Sequence, residues 1–172
     1  MTERKRRPSP LRALFRGLVS GAVGTAVMTA YQESLSSGTD ADAGGEPPDD
    51  VTSWQQAPVP AQVARRVLGG VFQQDVPPRR IPLLANATHW LYGTSLGTVY
   101  GMVQGTVRAN PIVHGLIFGF GAWSLSYAQL VPMGLYEPPW KYPPKELGKD
   151  ISYHLAYGLG VAGAFEALDR RS

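Results

Sequence analysis

Two histidines and two carboxylates stand at the edges of long uncharged stretches of this sequence: Glu33, His89, Asp150 and His154. A histidine beside carboxylates can change its charge between pH 5 and 8, and imidazole and carboxylate are also metal ligands. Asp150 and His154 are four residues apart, so they share one face of a helix. We therefore predict a proton-responsive or cation-binding cluster. The alternative is that these residues are hydrated at helix starts, where an acid such as Asp150 is favourable.

Other chemistry is poorly supported by the sequence. The third histidine, His114, lies near the opposite end of its own stretch, which argues against a three-histidine metal site. There is no cysteine, so disulfides, thiolate metal sites and cysteine nucleophiles are excluded. Walker loops, Gly-x-Ser-x-Gly, His-Glu-x-x-His and a dinucleotide fingerprint after a strand are also missing. We predict no catalytic residue, no metal and no cofactor.

The charges are distributed unevenly along the 172 residues. The chain has 16 Lys+Arg and 13 Asp+Glu, yet between Ile81 and Tyr136 only Arg108 is charged. At the average charge content, a segment of that length carries about 10 charges. A water-soluble globule with one amphipathic core does not have such a gap. The sequence indicates a small integral membrane protein, with the lipid bilayer as its main partner.

Uncharged stretches of helical length place four membrane spans in a single domain covering residues 1–172. Each of the two middle stretches is long enough to cross about 30 Å of hydrocarbon, and the Arg108–Pro111 turn joins them as an antiparallel hairpin. The first stretch has only 16 uncharged residues between Arg16 and Glu33, so a cleaved signal peptide competes with a retained anchor. The predicted fold class is an all-α integral membrane four-helix bundle. Its parts are a basic tail (1–10), spans 11–35, 83–107, 111–135 and 147–168, a loop (36–80) and a Pro-rich loop (136–146).

Within the long loop, the segment from Pro60 to Phe72 has helical and amphipathic periodicity. Pro60 suits a helix start, and the Gly69-Gly70 pair weakens its end. Two interpretations remain open. The helix lies in the membrane interface on the periplasmic side, or it packs on the other helices.

The distribution of basic residues sets the expected topology. A run at the N-terminus favours the cytoplasmic side of the membrane for both termini. A nucleic-acid-binding arm is the competing interpretation, but no aromatic-interleaved basic surface follows, so no nucleic acid partner is expected. The run consists of Arg4, Lys5, Arg6, Arg7, Arg12 and Arg16.

Glycines at four-residue spacing mark the predicted helix-packing faces. Without Cβ atoms, such a ridge lets a neighbouring helix approach backbone to backbone, which in lipid replaces hydrophobic burial as the source of attraction. The ridges serve packing within one chain, or they join two chains as a homo-oligomer. The glycines concerned are Gly93, Gly97, Gly101 and Gly105 in the second span and Gly115 and Gly119 in the third.

The segment from Leu130 reads Leu-Val-Pro-Met-Gly-Leu-Tyr-Glu-Pro-Pro-Trp and is followed by a helix with His154 and by Leu168-Asp169-Arg170-Arg171. Together with the Asn86–His89 start of a long apolar helix, this resembles the YagU-type bacterial inner-membrane protein family. The resemblance implies a multi-spanning inner-membrane protein linked to acid survival. It assigns no catalytic residue.

Two functions follow as expectations. The leading one is a non-enzymatic structural or acid-stress-related membrane protein. The alternative is a small proton or cation transporter or channel subunit that uses the cluster of Glu33, His89, Asp150 and His154. An intramembrane enzyme is the third possibility. A channel needs polar residues along its path, and the candidates are Thr98, Gln104, Ser124, Ser126 and Gln129.

Overall fold

The computed structural model describes residues 10–36, 53–104 and 110–170. These residues form five α-helices and no strand, so the all-α prediction is confirmed for them. Most of the basic tail, the beginning of the long loop, Gly105 and Arg108 lie outside the described residues. The helices are α1 (Pro10–Ser36), α2 (Val59–Phe72), α3 (Ile81–Gln104), α4 (Pro111–Leu130) and α5 (Pro144–Arg170), with 3₁₀ turns at Pro78–Arg80 and Pro139–Lys141.

Local capping explains where α2 and α4 begin and end. α2 has a proline in its first turn, and it ends where Gln73 adopts a left-handed conformation (φ 52°) and Gln74 N donates to Leu68 O at 3.0 Å. α4 begins with Pro111 in its first turn, and Asn110 Oδ1 accepts from Ile112 N at 2.9 Å.

The ends of α4 and α5 differ from the sequence prediction. α4 ends at Leu130 rather than at residue 135, because the chain turns through Gly134 (φ 63°) and Leu130 O accepts from Leu135 N and Tyr136 N. α5 begins at Pro144 rather than at residue 147, since a proline is well accommodated in the first turn of a helix.

The four long helices alternate in direction around the bundle. α1 packs against α3 and α5, and α5 also packs against α4. α3 and α4 meet mainly through long side chains: the Tyr100 and Phe118 ring centroids are 4.8 Å apart, and Tyr92 Oη donates to Gln129 Oε1 at 3.3 Å. α2 and the turn before it pack on the N-terminal half of α3 through the buried residues Ala57, Ala61, Ile81 and Ala85.

An aromatic layer fills the middle of the bundle. Tyr100 is in edge contact with Phe165 at 5.7 Å, and Phe118 contacts Tyr157 at 5.8 Å. Aliphatic side chains from α1, α3 and α5 complete this layer, so the centre is packed rather than hollow. The buried cluster comprises Met28, Tyr100, Ala122, Tyr153, Tyr157, Val161, Ala162 and Phe165, with Tyr31, Leu96 and Phe118 against it.

Glycines form the closest helix contacts. A Cβ on Gly97 of α3 would lie 2.5 Å from Gly21 N and 2.7 Å from Gly17 O of α1. Gly93 and Gly101 face the same helix, α1. On the other side of the bundle, Gly115 and Gly119 of α4 face the backbone of α5 from His154 to Leu159. These ridges are therefore occupied within the chain, and their use between two chains stays a prediction.

Among the described helices, one is long and apolar enough to cross a membrane by its hydropathy, the Leu11–Ser36 part of α1. α3 and α4 carry no charge in their described residues, but their histidines, glutamines, prolines and glycines, with one asparagine in α3, lower their average hydropathy. Large apolar side chains nevertheless cover the outer surface of these helices. Phe15, Leu91 and Ile117 are 68%, 70% and 67% exposed, one each on α1, α3 and α4.

Candidate functional site

Three of the four predicted cluster residues meet at one end of the bundle, where α1 ends and α5 begins. Asp150 and His154 lie on successive turns of α5, and His89 of α3 lies within electrostatic reach of His154. The side chains of His154 and Asp150 are 13% and 26% exposed. The cluster is thus largely shielded from solvent, which strengthens interactions between its charges.

Asp150 accepts a hydrogen bond that the sequence analysis did not predict. Trp123 Nε1 of α4 donates to Asp150 Oδ2 at 2.9 Å, and Tyr127 one turn later also interacts with the carboxylate. The Trp123 and Tyr127 rings are 5.0 Å apart. A tryptophan in an uncharged helix was the available signal, because a buried indole N–H requires an acceptor.

The geometry at His154 fixes its tautomer. Its Nδ1 is 2.9 Å from the backbone oxygen of Asp150, and only an N–H can satisfy a carbonyl. The same Nδ1 is 3.7 Å from Asp150 Oδ1. The second ring nitrogen, Nε2, is therefore the one without a hydrogen in the neutral side chain.

His89 connects the cluster to α1. Its Nε2 lies 3.5 Å from Thr29 Oγ1, a contact at the outer limit of a hydrogen bond. Glu33, the fourth predicted member, is one turn beyond Thr29 and is exposed on the last turn of α1. The structure thus gathers His89, Asp150 and His154 and leaves Glu33 at the rim.

A tyrosine in the loop after α4, Tyr136, lies beside the cluster. The Tyr136 ring is 5.1 Å from that of Tyr127, and the Tyr142 ring is 6.0 Å from that of Tyr127. Burial, followed by the nearby negative charge of Asp150 and by Tyr142, raises the pKa of Tyr136 to about 12. Tyr136 therefore remains a neutral hydrogen-bonding group throughout the pH range in which histidines titrate.

The gathered side chains are two imidazoles and one carboxylate. Within residues 10–36, 53–104 and 110–170, no three His, Cys, Asp or Glu side chains are placed to hold a metal ion. Two imidazoles and one carboxylate can, however, exchange a proton, and the carboxylate compensates for one positive charge.

The polar residues considered for a channel are mostly used inside their own helices. Each hydroxyl donates to the backbone oxygen four residues earlier in the same helix: Thr98 to Thr94, Ser124 to Phe120 and Ser126 to Ala122. Gln104 is hydrogen-bonded to His114 at the opposite end of the bundle, and Gln129 accepts from Tyr92. The aromatic layer lies between these two ends.

Comparison with protein-family models, with curated proteins and with solved structures gives no match to this chain. The resemblance to the YagU-type family therefore stays a prediction.

Proposed function

We propose that this protein is a non-enzymatic, membrane-embedded four-helix bundle that responds to acid through His89, Asp150 and His154. One observation supports embedding in a membrane: the smallest residues lie inside the bundle and large apolar residues lie on its outer surface. Glycines occupy the helix contacts, whereas large apolar side chains such as Leu91 and Ile117 point outward.

This arrangement is favourable in lipid and costly in water. Apolar surface exposed to water costs about 25 cal/mol per Å². Exposed apolar side chains lie on α1, α3 and α4. In lipid, helices associate instead through close van der Waals contact between small residues. In the proposed topology α1, α3, α4 and α5 all cross the bilayer, and both termini lie on the cytoplasmic side of a bacterial inner membrane.

In this proposal α1 is retained rather than cleaved as a signal peptide. It contacts both α3 and α5, and Gly17, Gly21 and Gly24 face the backbones of these two helices. Removing α1 would expose the glycine faces of two helices at once. A signal peptide is a transient segment and does not require such a fitted surface.

The membrane part has a direct test. We expect the protein to remain in the membrane fraction after alkaline extraction and to require detergent for a monodisperse state, because its outer surface is apolar. Recovery of a compact, monodisperse protein in detergent-free aqueous buffer would contradict the proposal.

The acid response is tested by Asp150→Asn. Protonation of the two histidines in acid brings two positive charges close together, and in this variant no carboxylate compensates for their repulsion. Between pH 8 and pH 5, we expect the melting temperature of Asp150→Asn to fall by about 2–8 °C more than that of wild type. This difference corresponds to about 1–2 kcal/mol in the free energy of unfolding. Asparagine preserves the side-chain shape and the oxygen that accepts from Trp123.

Two further variants make this test specific. Glu146→Gln removes an exposed carboxylate one turn earlier on α5 and should behave as wild type. Asp150→Asn combined with His154→Gln removes one of the two repelling charges and should show a smaller fall in melting temperature between pH 8 and pH 5 than Asp150→Asn alone. The same pH profile for Asp150→Asn and Glu146→Gln would disprove a proton-responsive role of the cluster.

The second candidate function, a proton or cation transporter subunit, is supported by the same His–carboxylate cluster. Among the described residues, Tyr100, Phe118 and Tyr157 pack in the bundle centre, where such a path would have to run. Proton flux into vesicles that contain the purified protein separates the two functions.

A further inference from the structure

A small, positively charged groove runs along one face of α2. It has a volume of about 240 Å³, and its lining residues recur at intervals of three and four, so they belong to one helix face. Two arginines lie along it and none of its lining residues is acidic. The groove is lined by Gln62, Arg65, Arg66, Gly69 and Gly70.

Both guanidinium groups are held in place by neighbouring structure. Arg65 Cζ lies 4.8 Å from the ring centroid of Trp54, and Trp54 Nε1 donates to Val76 O at 3.1 Å. Arg66 Nη1 donates to the backbone oxygen of Met133 in the loop after α4. Arginines whose orientation is already fixed lose less side-chain entropy when they bind an anion.

The two glycines keep the floor of the groove open. A Cβ on Gly70 would meet nothing within 4 Å, and one on Gly69 would meet only Gln74 O at 3.9 Å. Close packing therefore does not require glycine at either position. Glycine is less favourable than alanine inside a helix, and the bare backbone at these two positions leaves room for a ligand.

An apolar edge adjoins the charged face. Val67, Val71 and Phe72 are 45%, 70% and 61% exposed on the same helix. A ligand that satisfies both surfaces presents an anionic group beside hydrocarbon. Arginine forms paired hydrogen bonds with phosphate oxygens, and a phospholipid carries its phosphate next to acyl chains.

We propose that the α2 groove binds the phosphate group of an anionic phospholipid. This rests on the membrane embedding proposed above, which brings the bundle end and α2 to the level of the headgroups. The Trp54 and Met133 contacts position the two arginines, and the valines and Phe72 enter the acyl boundary.

The test measures lipid retention by the detergent-solubilised full chain in native mass spectrometry. Phosphatidylglycerol and phosphatidylcholine are titrated against wild type, and we expect preferential retention of phosphatidylglycerol. Arg65→Gln with Arg66→Gln should reduce that preference by about tenfold or more, because it removes the charge-assisted hydrogen bonds to the phosphate. Gly70→Leu should also reduce it by filling the groove without changing charge.

The matched control is Arg79→Gln with Arg80→Gln, which removes two exposed arginines outside the groove. We expect it to change the preference less than threefold. An equal loss in this control, or equal retention of both lipids by wild type, would overturn the proposal. Displacement of phosphatidylglycerol by millimolar inorganic phosphate would assign the groove to free phosphate instead. Failure of membrane embedding has a separate readout, a monodisperse protein without detergent.

Discussion

Replacing Gly97 with leucine is expected to abolish the folded bundle. Even a single Cβ at this position would lie 2.5 Å from Gly21 N and 2.7 Å from Gly17 O. These neighbours are backbone atoms of α1, so no side-chain rotation relieves the overlap. The two helices must separate, and α1 would lose its contacts with Gly93 and Gly101 as well.

The expected magnitude exceeds that of ordinary overpacking. Extra methylenes in a packed core typically cost about 1–3 kcal/mol, and here a whole helix interface is displaced. We expect Gly97→Leu to give no cooperative thermal transition in detergent by circular dichroism, and Gly97→Ala to melt at least about 5 °C below wild type. Gly121→Leu is the matched control, because a Cβ on that exposed glycine would meet nothing within 4 Å. Wild-type melting of Gly97→Leu would refute the close α1–α3 contact.

The sequence predicted the existence of most elements because their signals are local. The charge gap and the proline and glycine positions marked the long helices, and the periodicity of residues 60–72 marked α2, which the structure has at Val59–Phe72. The partner of each glycine ridge was not predictable. Any small-residue ridge can pair with any other, so spacing alone cannot direct Gly97 to α1 and Gly119 to α5.

The candidate site shows the same limit. Asp150 and His154 were paired from their spacing on one helix, and His89 was added from its expected depth. The Trp123–Asp150 hydrogen bond depends on the register between α4 and α5, which is set by the fit of Gly115 and Gly119 against α5. Register is a property of two helices together, and a single sequence gives no measure of it.

Arg16 shows why an isolated charge near a helix end is hard to interpret from sequence. The sequence analysis left it as part of the basic flank. In the structure its side chain is only 6% exposed, and Nη1 is 2.5 Å from Asp169 Oδ1 at the far end of α5. The Asp169 side chain is 56% exposed, so this ion pair lies at the edge of the bundle with the arginine on the inner side.

Asp169→Asn is therefore expected to destabilise the protein strongly, because it leaves the buried guanidinium without a counter-charge. Breaking one side of a buried ion pair costs about 3–5 kcal/mol, and the exposure of Asp169 reduces the expected loss to about 2–3 kcal/mol. Thermal or denaturant unfolding in detergent measures it. Glu137→Gln is the control, since it breaks the exposed ion pair with Lys141 (3.4 Å) and should cost less than about 1 kcal/mol.

The double variant Arg16→Met with Asp169→Leu separates the two possible origins of the loss. Removing both charges leaves no uncompensated ion, so we expect it to be more stable than Asp169→Asn alone. If the double variant is as unstable as the single one, the pair itself contributes net attraction between α1 and α5. If Asp169→Asn loses no more stability than Glu137→Gln, the guanidinium of Arg16 reaches water or lipid headgroups. The burial of Arg16 against α5 would then be refuted.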